Sequence, residues 1–233
     1  MTRKLCTLFF VLFVAFSGVR GEVIVQSGAD AVMSSALGSS KGQVEDILNS
    51  AFAGIDFGEN DKDDFKVTSE QEKLLRERFS RAAKKFMDSD WVDYGTIDFL
   101  NSKVVVTIAV TENIADFPMT TWGAYGGFIV GVHPRALAEF SPGRLEEAFF
   151  HELYHQYTYI VADVWEGRRV KFLGNGDLAK IRGQRKSKVE IFKFRQGAER
   201  RIQAKRERYL ESIKDELTPA ERSKFLGKDK KVE

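Results

Sequence analysis

The stretch from Ser141 to Gly167 constrains this chain more than any other, because the rest of the sequence has to be built to hold it. Ser141 is a good N-cap, Pro142 suits the first helical position, and Glu146 and Glu147 lie near the positive end of the helix dipole. Leu145, Phe149, Leu153, Tyr157, Ile160 and Val164 recur at helical spacing and predict one buried stripe. Ala148, His151, His155, Tyr159 and Ala162 fall on a neighbouring stripe, with small residues where a ligand would need room, and Gly167 offers a C-terminal stop.

Inside that helix, His151-Glu152-Leu153-Tyr154-His155 reads as H-E-x-x-H, and the chain has only three histidines. Positions i and i+4 of a helix stand one above the other with Cβ atoms roughly 5–6 Å apart. Two imidazoles so placed can both reach one metal ion at about 2.0–2.1 Å. Glu152, one step round from His151, is placed to accept a proton from water without ligating. The bland alternative is a core helix whose two histidines are simply hydrogen-bonded.

His151-Glu152-x-x-His155, set in the run Arg144 to Tyr159 with small and apolar residues before the first histidine, resembles the active-site helix of the zincin metallopeptidases. As a pattern the resemblance covers residues 68–200; its specific motif is five residues long. It implies an α+β, zincin-like fold: a small mixed sheet with a backing helix, the H-E-x-x-H helix, and a helical C-terminal part. It also implies one Zn2+ ion and a peptide or protein substrate.

A catalytic zinc site needs a third protein ligand and one open position. Val161 occupies the place where one zincin branch carries a third histidine. Asp163 and Glu166 lie on the order of 12–16 Å along the axis from His155 if the helix continues. The resemblance then points to a carboxylate on the following helix, as in the glutamate-bearing branch. Glu199, between Gly197-Ala198 and Ile202, ranks first, Glu190 beside Ile191 second and Asp163 third. Each has a solvated surface acid as its competing reading.

Thr2-Arg3-Lys4 followed by the apolar run Leu5 to Phe16 and the small residues near Val19-Arg20-Gly21 reads as a signal peptide over 1–21. The run is short for a bilayer span, and an uncleaved anchor is the alternative. The expected location is therefore secreted or periplasmic, with membrane attachment only if this segment stays on. The single cysteine, Cys6, lies inside it, so a cleaved chain has no thiolate ligand, nucleophile or disulfide.

The expected organisation is an acidic, loosely ordered segment 22–66, a zincin-like domain 67–217, and a short helix with a charged tail over 218–233. Residues 22–66 hold nine acids against three bases, and residues 167–208 hold fifteen bases against four acids. The two halves either face each other, the acidic one covering the cleft, or the acidic one is a plain leader. A helical candidate lies at Gln43 to Phe52. The acidic run Glu59 to Asp64 lacks the glycine that an EF-hand loop requires, and a solvated loop is the plainer account.

From Thr68 a helix is signalled by Leu74, Leu75, Phe79, Ala82, Ala83 and Phe86, with Ser69 and Glu72 as a capping box. Thr96 to Leu100 and Lys103 to Thr111 read as strands joined at Asn101-Ser102. Glu112 to Tyr125 reads as an irregular loop, and Phe128 to His133 as a third strand that Pro134 closes. By the resemblance, Gly127 to Val132 is an edge that pairs with extended substrate; an ordinary sheet strand is the alternative. His133 reads as a strand-end histidine rather than a ligand. After a turn at Gly174-Asn175-Gly176, one long helix is expected from Lys188 to Leu217, and Pro219 starts a last short one.

The expected chemistry is peptide hydrolysis at zinc, with Glu152 taking a proton from the attacking water and passing it to the leaving amine. Tyr159 and His133 are possible helpers at the oxyanion. Two other classes compete. One is a zincin-fold binding protein that has lost catalysis. The other is a secreted polyanion-binding protein using the basic stretch 167–208, although no nucleic acid is expected because aromatic residues there are few and follow helical spacing.

Overall fold

The computed structural model describes residues 22–27, 67–88, 91, 100, 104–112, 114, 117–124, 127–168, 170, 171, 173–184 and 186–227. The expectations for 1–21, 28–66, the strand at 96–100 apart from Leu100, its turn, and the tail 228–233 lie outside them. In chain order the elements are β1 (Glu22–Ser27), α1 (Ser69–Asp88), β2 (Val105–Val110), β3 (Met119–Ala124), β4 (Gly127–Val132) and α2 (Pro134–Glu139). They continue with α3 (Pro142–Trp165), α4 (Asn175–Arg182), α5 (Lys188–Gln196), α6 (Ala198–Ser212), a 3-10 turn (Lys214–Glu216) and α7 (Pro219–Phe225).

Four strands make one mixed sheet in the order β1-β2-β4-β3. β1, β2 and β4 run parallel, and β3 returns antiparallel to β4, with Met119 opposite Val132 and Ala124 opposite Gly127. Val106, Ile108 and Val110 of β2 and Phe128, Val130 and Val132 of β4 join the main core. Thr107, Ala109 and Ile129, which alternate with them, are buried as well, which fits strands covered on both faces.

The strand expectations need three corrections. Glu22–Ser27 belongs to the sheet rather than to a loosely ordered appendage, its Val23-Ile24-Val25 run pairing with Val106 to Ile108. Part of the supposed loop 112–125 is β3. Pro118 stands one residue before that strand, so its missing N–H costs no ladder bond. Finally, β4 is interior, and among the described strands it is β3 that lies on the outside.

α3 lies at the centre and packs against α1, β3, α4, α5 and α6. Its predicted stripe is buried throughout, and Phe150, Tyr154 and Val161 are buried too, so the helix is covered almost all round. Ser141 Oγ accepts from Arg144 N at 3.1 Å, and Pro142 opens the first turn. At the far end Gly167 has φ +84°. Arg168 N donates to Asp163 O at 2.8 Å and Gly167 N to Val164 O at 3.1 Å, the paired bonds of a Schellman stop. α1 is capped one residue earlier than expected: Gln71 N donates to Thr68 Oγ1 at 3.2 Å and Thr68 N to Gln71 Oε1 at 2.9 Å.

The single helix expected over 188–217 is two helices and a 3-10 turn. The break falls at Gly197, where a Cβ would come 3.1 Å from Lys193 O. Arg201 fixes the bend by donating to Phe194 O at 2.7 Å while its guanidinium sits 4.1 Å from the Phe194 ring centre. Two further short helices, α2 and α4, were not foreseen. Among the described residues no helix is long and apolar enough to cross a membrane.

Candidate metal centre

His151 and His155 project from α3 toward the first turn of α6, where Glu199 is the second helical residue. The bend at Gly197 sets that turn across from the two rings. His155 Nε2 lies 3.1 Å from His151 Nε2 and 2.8 Å from Glu199 Oε1, and His151 Nε2 lies 3.6 Å from the same oxygen. Ligand atoms about 2.05 Å from a tetrahedral ion stand about 3.3 Å from one another. The three observed separations bracket that value. His151, His155 and Glu199 are also the group among the described residues whose ligand atoms converge in this way.

The site's electrostatics suit neutral imidazoles. Burial lowers the His151 pKa to about 4, helped by the charges of His155, Arg206 and Arg144 and opposed by Glu199. Burial likewise lowers His155, against the pull of the Glu199 carboxylate. Neutral rings expose the lone pairs that a cation needs. Glu152, only 6% exposed, is pushed up to about 8 by burial and by the neighbouring charge of Glu199. A carboxyl so shifted can both accept and release a proton near neutrality.

A cleft of about 540 Å³ opens over these residues, and β3 with the chain just before it forms one wall, from Phe117 to Thr121. That wall is fastened to α3 from behind: Gln156 Nε2 donates to Thr121 Oγ1 at 2.7 Å, and Thr121 Oγ1 donates to Ile129 O at 2.9 Å. Tyr159 stacks on His155, the ring centres 6.1 Å apart, and lines the same cleft.

Glu190 and Asp163, the other candidates for a third ligand, are engaged elsewhere. Glu190 completes a capping box with Ser187 at the start of α5. Asp163 is held by Arg195 at 2.7 Å, in a network that also binds Glu166. His133 caps α2, its Nδ1 accepting from Arg135 N at 3.1 Å. The residues that sequence reasoning missed are Arg144, Glu147, Gln203 and Arg206, which line the end of the cleft beyond His151. Their signal was present: Glu199, Gln203 and Arg206 recur on one face of α6, but the surrounding run of basic residues hid it.

No protein-family model, curated protein or solved structure matches this chain.

Proposed function

We propose that the chain is a zinc-dependent metallopeptidase, with His151, His155 and Glu199 as metal ligands and Glu152 as general base. The observation that carries this reading is the convergence of three ligand-type atoms, from two helices, at the spacing that one small ion imposes. Two nitrogens and a carboxylate oxygen are a donor set that zinc takes readily, leaving one coordination position open. Zinc, when bound, polarises a carbonyl and makes water a better nucleophile at neutral pH.

The chain's own residues do the rest. Glu152 faces the same cleft, takes the proton from the attacking water and returns it to the leaving amine. Its burial keeps bulk water from competing for that proton. Among the described strands β3 lies on the outside, beside the site, and an extended peptide added to its edge would lie along the cleft. Export directed by residues 1–21, giving a secreted or periplasmic enzyme, belongs to the same proposal.

The polyanion-binding alternative loses ground because several bases of the 167–208 stretch serve the fold. Arg195 binds Asp163 and Glu166, and Arg168 binds Glu166. The deciding experiment is metal analysis of the purified protein beside its His151→Ala and Glu152→Ala variants, with a general peptide-cleavage assay. Zinc with cleavage supports the peptidase. Zinc without cleavage supports the non-catalytic binding protein, and no zinc ends the metal-site reading.

A further inference from the structure

The cleft is cationic at one end. Along α3, Arg144, Ala148, His151 and His155 share one side; along α6, Glu199, Gln203 and Arg206 share another, and all of them line the cleft. Arg144 precedes His151, and Arg206 follows Glu199, by about two turns of helix, roughly 10 Å along each axis. The helices therefore bring both arginines to the same end of the cleft, away from the histidines.

These two guanidinium groups share one carboxylate. Glu147 pairs with Arg144, and Arg206 Nε donates to Glu147 Oε1 at 2.8 Å. Glu147 is 1% exposed, and the arginine side chains are only 16% and 21% exposed. Phe225 of α7 holds both in place, each guanidinium 4.8 Å from its ring centre. Lys224, over the same ring, and Glu221 also lie at this end. Glu221 is already occupied by Thr218 and by Ser141 N. Among these five groups three are cations and two are acids. Burial, with the neighbouring charge of Arg206, lowers Arg144 to about 10, against the pull of Glu221.

We infer that Arg144 and Arg206 form a carboxylate-recognition subsite, so that the substrate carries an anionic group about three residues from the bond cleaved. The inference rests on the peptidase reading for the word substrate, while the anion site itself stands on the arginine pair. An extended strand advances about 3.3 Å per residue, which converts the axial offset of roughly 10 Å into about three residues. A planar guanidinium fork matches a carboxylate bidentately, and in a partly dehydrated cleft such a pair discriminates well against a neutral amide. The carboxylate is either an acidic side chain or the free C-terminus of a peptide.

The test uses full-length protein and labelled octapeptides that differ only in Glu against Gln on one or other side of the central bond. Each is made as C-terminal acid and as amide. Binding is read by anisotropy on the Glu152→Gln variant, with zinc and after chelation, and cleavage is read on wild type. We expect a preference of about tenfold or more for one carboxylate-bearing form over its neutral partner. The acid-amide arm tells a C-terminus from a side chain. Arg206→Met should bring the binding ratio close to one, and Arg206→Lys should restore part of it. Equal binding of all forms, or a preference that survives Arg206→Met in folded protein, overturns the inference. Carboxylate preference after chelation, with no zinc and no cleavage in wild type, would instead keep the anion site and sink the peptidase reading.

Discussion

Glu199 Oε1 sits 2.8 Å from His155 Nε2, although the two residues belong to different helices with two further helices, α4 and α5, between them in the chain. The contact depends on the bend at Gly197, which swings the first turn of α6 onto the side of α3 that bears the histidines. The metal-site reading therefore turns on that bend as much as on the H-E-x-x-H motif.

Zinc content should follow this geometry. Wild type is expected to hold about one zinc per chain, and His151→Ala and His155→Ala to lose it. Glu199→Gln should weaken zinc by more than the 10–100-fold that loss of an outer-shell partner costs. Glu190→Gln and Asp163→Asn should hold zinc like wild type, since both groups are committed elsewhere. Elemental analysis after dialysis against a competing chelator checks all five variants. Zinc loss in Glu190→Gln or Asp163→Asn, with none in Glu199→Gln, would refute the ligand set.

Glu152→Gln separates binding from chemistry. It keeps the shape and removes the base, so zinc content should stay at the wild-type level while peptide cleavage falls by about 10²–10⁴-fold. Stoichiometry and kcat measured on one preparation decide it. Full activity in the variant would exclude Glu152 as general base.

Much of the site's local architecture could be read from the sequence. Ser141-Pro142 and Gly167 bound α3 where their backbone preferences put them, and the stripe from Leu145 to Val164 is buried as its period implies. What escaped reading depended on contacts distant in sequence. Glu199, Glu190 and Asp163 are equivalent as carboxylates near apolar residues, and only the bend at Gly197 distinguishes them. β3 was missed because the segment 112–125, which holds Pro118 and Trp122, read as an irregular loop, whereas pairing with β4 makes 119–124 a strand. Glu146 and Glu147 both read as dipole partners. Glu146 instead anchors α1 and Glu147 anchors the arginines of the cleft, a division set by which side of α3 each faces.

Gly143 should tolerate no side chain. A Cβ there would stand 2.8 Å from Glu216 O, a backbone atom that cannot swing away. Gly143→Ala should therefore cost about 1–3 kcal/mol by overpacking the start of α3 against the 3-10 turn. Gly176→Ala is the matched control, since nothing lies within 4 Å of its Cβ position on α4. Its stability should equal or exceed wild type, helix propensity favouring alanine. Urea unfolding of the three proteins checks the pair. Equal midpoints for Gly143→Ala and wild type would mean that the turn is not packed as described.

Glu146 should be the most costly ion-pair partner to remove. It is fully buried, forms ion pairs with Arg81 Nε at 2.9 Å and Lys85 Nζ at 3.3 Å, and accepts the Tyr209 hydroxyl at 3.2 Å. Glu146→Ala leaves these donors without their shared acceptor, and a loss of about 3–5 kcal/mol is expected, toward the low end because Arg81 and Lys85 reach solvent. A loss under about 1 kcal/mol in urea unfolding would place the cluster among ordinary surface ion pairs.

The same cluster predicts an acid-labile contribution to stability. Burial raises the Glu216 pKa, but the hydrogen bond from Arg81 and the charge and hydrogen bond of Arg78 outweigh it and leave the group below the ordinary carboxylate value. A carboxyl whose pKa is lower in the folded than in the unfolded chain stabilises the fold above its unfolded pKa. That contribution is lost as pH falls through the folded pKa. Wild type should thus exceed Glu216→Gln in Tm at neutral pH, and the gap should narrow as acidification protonates Glu216, because the protonated acid and the amide make similar neutral contacts. Thermal melts of both proteins from neutral to acid pH test the linkage. A gap that stays constant with pH would show that Glu216 acts through its shape and hydrogen bonds alone, and not through its charge.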